Sequence, residues 1–241
     1  QSRMLAQIAE TGVKVTQSKQ FPYAYYLEQV DHIDALPGYA QGSFFMQDIG
    51  SMQVVELAGI KPGDAVIDVC AAPGGKAMHA LAKLHGKGSV QARDLTENKV
   101  SMIEENIERC AGAADAIEVL VRDARILDPQ AVEKADVVIA DLPCSGLGVI
   151  GRKSDIKYRM TPEQVADIAA LQREILSVVW QYVKPGGILM YSTCTLTKAE
   201  NQDNRDWFLE NSPFTLLEEK ELLPSAETDG FYMIKCRRNK A

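Results

Sequence analysis

From Gln47 onward the chain alternates short apolar, β-branched runs with longer stretches whose apolar residues recur at helical spacing. That alternation is the pattern of a parallel sheet covered by helices on both faces. Five runs read as strands: Ala65 to Val69, Ser89 to Ala92, Ile117 to Val121, Val137 to Ala140 and Ile188 to Ser192. Several are apolar almost without interruption, which fits strands buried on both faces. Helices are expected from Glu97 to Cys110, after Thr161, and from Asn201 to about Glu210. The second has a well-specified start, since Thr161 can cap, Pro162 suits the first helical position and Gln164 completes a capping box. Lys184-Pro185-Gly186-Gly187 is expected to stop that helix before the next strand. Two late β-like runs, Thr215 to Glu219 and Phe231 to Cys236, suit an antiparallel edge. The expectation is a doubly wound α/β fold around a mostly parallel seven-stranded sheet.

Residues 1–46 do not share this alternation. They carry a helical stretch from Met4 to Ala9, a β-like stretch from Val13 to Thr16 and an aromatic-rich segment from Phe21 to Leu27. They read as part of a small α+β subdomain ahead of a catalytic domain over residues 47–241. The chain begins with Gln, so an upstream portion is expected to precede it.

Composition changes this picture little. An apolar fraction of 46% with 24% charged residues gives no support for disorder. No apolar run reaches the roughly 20 residues of a membrane-spanning helix, and no secretory pattern opens the chain, so a cytoplasmic, membrane-free monomer is expected. The five cysteines, at 70, 110, 144, 194 and 236, lack the paired spacings of a zinc site. Free thiols in a reducing compartment, with no metal, are the simplest reading.

A net charge of −7 argues against gripping phosphate by bulk electrostatics, which needs a broad cationic face. Any nucleic-acid contact is therefore local, with Arg152, Lys153, Lys157 and Arg159 as one candidate cluster and Lys235, Arg237, Arg238 and Lys240 as another. Either cluster also reads as a solvated face.

In an open α/β sheet, ligands sit beyond the carboxyl ends of the strands. The first strand runs into Asp68-Val69-Cys70-Ala71-Ala72-Pro73-Gly74-Gly75-Lys76. Small residues there let backbone approach a ligand, and free N–H groups of the following helix suit a carboxylate. An acid then stands at the end of each of the next three strands: Asp94, Asp123 and Asp141. Asp94 is placed for a ribose diol, Asp123 for an adenine amino group, and Asp141 for the cationic centre of a sulfonium donor. A nicotinamide dehydrogenase would show G-x-G-x-x-G in the first loop, where this chain has A-A-P-G-G-K.

Two cysteines stand at the ends of neighbouring strands, in Asp141-Leu142-Pro143-Cys144-Ser145-Gly146 and Tyr191-Ser192-Thr193-Cys194-Thr195. Buried free cysteines are usually packing residues, which suffices for Cys70, Cys110 and Cys236. Strand-end loops are where function is placed, so Cys144 and Cys194 are candidate reacting groups.

Together, D-V-C-A-A-P-G-G-K, D-L-P-C-S-G and Y-S-T-C-T resemble the RNA cytosine-5 methyltransferases of the bacterial Sun/Fmu type, which modify 16S ribosomal RNA. Further matches are Met46-Gln47-Asp48, Ser51-Met52, Asp155-Ile156-Lys157, Glu200-Asn201 and Asp229-Gly230-Phe231, so the resemblance covers residues 37–238. It implies a class I, Rossmann-like methyltransferase fold and S-adenosylmethionine as cofactor, bound by Cys70, Ala71, Ala72, Pro73, Gly74, Gly75, Lys76, Asp94, Asp123 and Asp141. It also implies that Cys194 is the nucleophile, attacking carbon 6 of the cytosine. Cys144 is then expected to remove the proton from carbon 5, or to position a water that does so, and Asp141 to contact the cytosine amino group or ring nitrogen. The same chemistry on transfer RNA, or a non-catalytic RNA-binding scaffold, are the alternative readings.

Overall fold

In the computed structural model, residues 2–110, 116–152, 154–225 and 227–240 are described. The amino-terminal stretch forms α1 (Ser2–Glu10) and an antiparallel pair, β1 (Lys14–Gln17) with β2 (Tyr25–Glu28). Its aromatic-rich segment thus ends in a strand. Ile8, Val13 and Leu36 form a small core there, lined by Met4, Val15 and Leu27. The segment is tied to the remainder of the chain by polar contacts. Tyr23 donates to Glu56 and lies 3.0 Å from Nε2 of the buried His79, while Gln53 donates to Gln20 at 2.9 Å. Arg109 donates to the carbonyls of Tyr39 and Phe44 at 3.0 and 3.1 Å.

The main unit follows in order: α2 (Ile49–Ala58), β3 (Ala65–Asp68), α3 (Gly75–Leu84), β4 (Ser89–Asp94), α4 (Glu97–Arg109), β5 (Ile117–Val121) and β6 (Ala135–Asp141). Then come the one-turn α5 (Ile156–Arg159), α6 (Pro162–Val179), β7 (Val183–Thr193), α7 (Gln202–Asn211), β8 (Phe214–Leu222) and β9 (Phe231–Arg238). The seven strands lie in the order β5-β4-β3-β6-β7-β9-β8. The first five run parallel, and β9 pairs antiparallel with both β7 and β8.

Consecutive side chains in each strand point to opposite faces, and both faces are covered. Val66, Ile139, Met190 and Met233 pack with Val54, Ala77 and Ile103 of α2, α3 and α4. Their neighbours Ile67, Val138, Leu189 and Tyr232 pack on the other face with Leu176, Val179 and Phe208 of α6 and α7. This two-sided burial is why the strands read as unbroken apolar runs. It also holds the strands rigidly, so that their carboxyl ends form one edge.

The expected capping box is present, with Thr161 Oγ1 accepting from Gln164 N and Gln164 Oε1 accepting from Thr161 N at 3.0 Å. The expected stop differs. α6 ends at Val179 and a 3-10 turn, Trp180–Tyr182, leads directly into β7. Lys184-Pro185-Gly186-Gly187 lies inside β7 as a bulge: Ala135 pairs with Val183, but Val137 pairs with Ile188. Punctuating residues accommodate extra chain within a ladder as readily as they end a helix.

Thr161→Ala removes the cap of α6 and is expected to lower unfolding free energy by ~1 kcal/mol. A urea titration with unchanged m-value measures it.

Candidate active site

Each parallel strand hands its last residues to the same edge. β3 ends in Asp68 and turns through residues 69–74 into α3. Gly74, at φ 106°, takes a backbone conformation that a side chain would strain, and an added Cβ would sit 3.3 Å from Ile103. The turn is laced to β4, since Ala71 N donates to Arg93 O at 2.8 Å and Ala72 N to Asp94 Oδ2 at 3.0 Å. Asp94 is buried and also accepts from Leu95 N and Lys99 Nζ, at 2.7 and 3.0 Å. Asp123 follows β5, and its carboxylate is gripped by Arg125 at 2.6 to 3.2 Å, which holds its pKa below the usual range.

Asp141 closes β6 and joins two neighbours. Its Oδ1 accepts from Ser192 Oγ at 2.7 Å, and its Oδ2 forms an ion pair with Lys76. Burial opposes the charge on Lys76, yet the Asp141 carboxylate raises its pKa above the ordinary value. Cys144 and Cys194 meet with their sulfurs 3.2 Å apart. β6 and β7 are adjacent and in parallel register, Asp141 opposite Ser192, so the loops that follow them start side by side.

The sulfur pair is not symmetric. The hydrogen bond with Cys144 lowers the Cys194 pKa; burial and then the Asp141 carboxylate work against that, and the Lys76 charge assists. The same contact, then burial, pushes Cys144 well up, and Asp141 adds to the rise. Of the two sulfurs, Cys194 is the one shifted toward ionisation and Cys144 the one shifted away from it. Gly148 seals the loop beside it: its N–H donates to Cys194 O at 3.0 Å, and its carbonyl accepts from Gly230 N at 2.9 Å. A Cβ on Gly148 would lie 2.3 Å from Gly230 O and 2.7 Å from Cys194 O, so no side chain fits.

Sequence reasoning passed over Asp68. It is 1% exposed, and neither carboxylate oxygen has a hydrogen-bond partner among the described residues. Burial, with Asp141 and Asp94 nearby, pushes its pKa up to about 7 against the pull of Lys76. The available signal was its position at the end of the first strand, as with the three later aspartates. Cys70 is partly buried, and burial raises its pKa strongly, so it is no rival nucleophile.

Two members of the first basic cluster are in ion pairs. Arg152 lies between two carboxylates, Asp48 at 3.1 Å and Asp229 at 3.2 Å, and Arg159 is 3.5 Å from Asp155. Lys153 lies outside the described residues, as does the side chain of Lys157.

A parallel sheet in this strand order, with a glycine turn after its first strand and an antiparallel edge, is the architecture of the S-adenosylmethionine-dependent methyltransferases. A family model described as 16S rRNA methyltransferase RsmB/F matches residues 55–235, and the chain belongs to that family. Ribosomal RNA small subunit methyltransferase B of Vibrio cholerae serotype O1 is 36% identical over 238 residues, which is 94% of this chain and 54% of that protein. The protein of the same description from Salmonella arizonae is 35% identical over 241 residues, 96% of this chain and 55% of its own length. The chain thus spans about half the length of these curated relatives. Among solved structures, NSun6 from Pyrococcus horikoshii with SFG superposes with a TM-score of 0.80 at 28% identity, covering 90% of this chain and 60% of that one. A methyltransferase homolog protein from Pyrococcus horikoshii superposes with a TM-score of 0.83 at 25% identity, covering 98% and 82%.

Alkylation by iodoacetamide, followed by peptide mapping across pH, should place the midpoint for Cys194 below the ordinary cysteine value of about 8.5. Cys144→Ala removes the S–H donor, so the midpoint should move to higher pH. An unmoved midpoint would show that the sulfur contact does not set the ionisation.

Proposed function

We propose that this chain transfers a methyl group from S-adenosylmethionine to carbon 5 of a cytosine in 16S ribosomal RNA, through a covalent bond to Cys194. The observation that carries this reading is the pair of sulfurs 3.2 Å apart at the ends of adjacent strands, beside the Lys76–Asp141 ion pair. A sulfur shifted toward the thiolate next to a second sulfur suits a reaction that needs a nucleophile first and a base second.

The cofactor suits the residues present. Asp68 is a buried carboxylate whose oxygens have no full hydrogen bond among the described residues, a condition that a further cation relieves, and S-adenosylmethionine carries an ammonium and a sulfonium. The turn 70–76 offers backbone N–H groups at the start of α3 to the carboxylate of that molecule, and Asp94 lies at the end of the next strand for its ribose. When bound, the cofactor supplies an electrophilic methyl group.

The chain's own residues do the remaining work. Carbon 5 of cytosine is too weakly nucleophilic to take a methyl group unaided, so the Cys194 thiolate adds to carbon 6 and shifts electron density to carbon 5. Lys76 and the Cys144 S–H favour the thiolate before this step. Asp141 accepts from the cytosine amino group, fixed for that task by Lys76 and Ser192. After Cys194 has spent its charge in the bond to carbon 6 and carbon 5 carries the methyl group, Cys144 gives its own proton to water; as a thiolate it takes the proton from carbon 5, the double bond re-forms, and Cys194 departs as a thiolate. The target base has to leave any stack it occupies, at a cost of a few kcal/mol. With a net charge of −7 and Arg152 paired with two acids, RNA contact by this chain is local rather than a broad electrostatic grip.

Cys194→Ala should abolish incorporation of labelled methyl groups into 16S RNA while calorimetry still detects cofactor binding; retained turnover would reassign the nucleophile. Cys144→Ala should allow addition and block release, leaving a protein–RNA adduct on a denaturing gel. Normal turnover without adduct would remove Cys144 from the role of base.

A further inference from the structure

Resting on that reading of the two thiols, we infer that the dipeptide Glu200-Asn201 sets the register between them. Glu200 is fully buried, and its carboxylate accepts four hydrogen bonds. Oε2 takes Ser145 N at 2.8 Å and Gln172 Nε2 at 3.1 Å, while Oε1 takes Ser145 Oγ and, at 2.7 Å, Thr197 Oγ1. Ser145 is the residue after Cys144. Gln172, on α6, also donates to Pro143 O at 2.9 Å, on the other side of Cys144.

Asn201 does the same for the other sulfur. Its Oδ1 accepts from Thr193 Oγ1 at 2.6 Å, and its Nδ2 donates to Thr195 O at 3.0 Å, so it holds the residues on both sides of Cys194. The two loops are then pinned to each other by Ser145 Oγ and Thr195 Oγ1, 2.8 Å apart. Ser145, Thr193, Thr195, Glu200 and Asn201 are all buried, so water cannot replace any bond that is lost. Neither Glu200 nor Asn201 touches a sulfur; they are positioning residues.

Glutamate is required by donor arithmetic. Four donors converge on two oxygens, and a glutamine amide would turn an NH2 group toward two of them, leaving buried donors face to face. The loop carrying Cys144 would then give way, because its Ser145 supplies two of the four bonds.

Phenylarsine oxide tests the register without any methyl transfer, since it condenses with two thiols, releasing water, only when both sulfurs reach one arsenic atom. In the wild-type chain, peptide mass spectrometry should find arsenic bridging Cys144 and Cys194. Glu200→Gln should slow that bridging, and should lower kcat by roughly ten- to hundredfold, the scale expected for ångström-sized misplacement. KM for RNA and the affinity for S-adenosylmethionine should stay at wild-type values. Bridging and kcat both at wild-type rates in Glu200→Gln would overturn the assignment. If that variant does not fold, Ser145→Ala serves instead: it deletes the hydroxyl link without adding a donor, and it should slow bridging and kcat together. Unchanged bridging in Ser145→Ala overturns the assignment equally. A wild-type chain that bridges arsenic but methylates no RNA would sink the functional reading and leave the register assignment standing.

Discussion

Lys76 is an ammonium held almost entirely inside the protein, and its pairing with Asp141 is what makes that burial tolerable. The pair links the first turn of α3 to the end of β6, joining the glycine-lined side of the cleft to the side that carries the thiols. It also sets a positive charge that favours the Cys194 thiolate beside a carboxylate that opposes ionisation of both sulfurs. Ser192 holds the other oxygen of Asp141, so the register of β6 against β7 passes directly into the placement of the ion pair. Breaking either partner would strand a buried charge between the turn into α3 and the end of β6.

The reacting loops are therefore mounted rather than free. Gly148 is pinched between Cys194 and Gly230, and Glu200 and Asn201 supply the buried carboxylate and amide that grip both sulfur loops. Arg152 adds an outer clasp between Asp48, which caps α2, and Asp229, next to the strand that backs β7. The cation that sequence composition offers to RNA is in this arrangement a link between the amino- and carboxyl-terminal parts of the site.

Much of the fold was legible because two-sided burial leaves a strong imprint on sequence. Ile117–Val121 is bounded in the structure as its apolar run predicts, and the capping residues of α6 act as their types require. The bulge in β7 was not legible. Lys-Pro-Gly-Gly has the chemistry of a stop and also the chemistry of an irregularity within a strand, and only pairing with β6 distinguishes the two. Asp68 was hidden for a related reason: a carboxylate at a strand end has a donor or lacks one according to neighbours far away in the chain.

Sequence alone determined which residue types stand at the carboxyl ends of the strands: an aspartate or cysteine after each of β3, β4, β5, β6 and β7, and a glycine turn before Lys76. Those identities follow from local spacing, since a strand of given period must end where its apolar run ends. Tertiary structure decided which of those groups touch. The 3.2 Å between Cys144 and Cys194, the opposite shifts of the two sulfurs, and the hydrogen bonds of Glu200 all depend on residues about 50 positions apart being brought together. Such contacts arise from strand order and register, and no local pattern encodes a distance across a sheet.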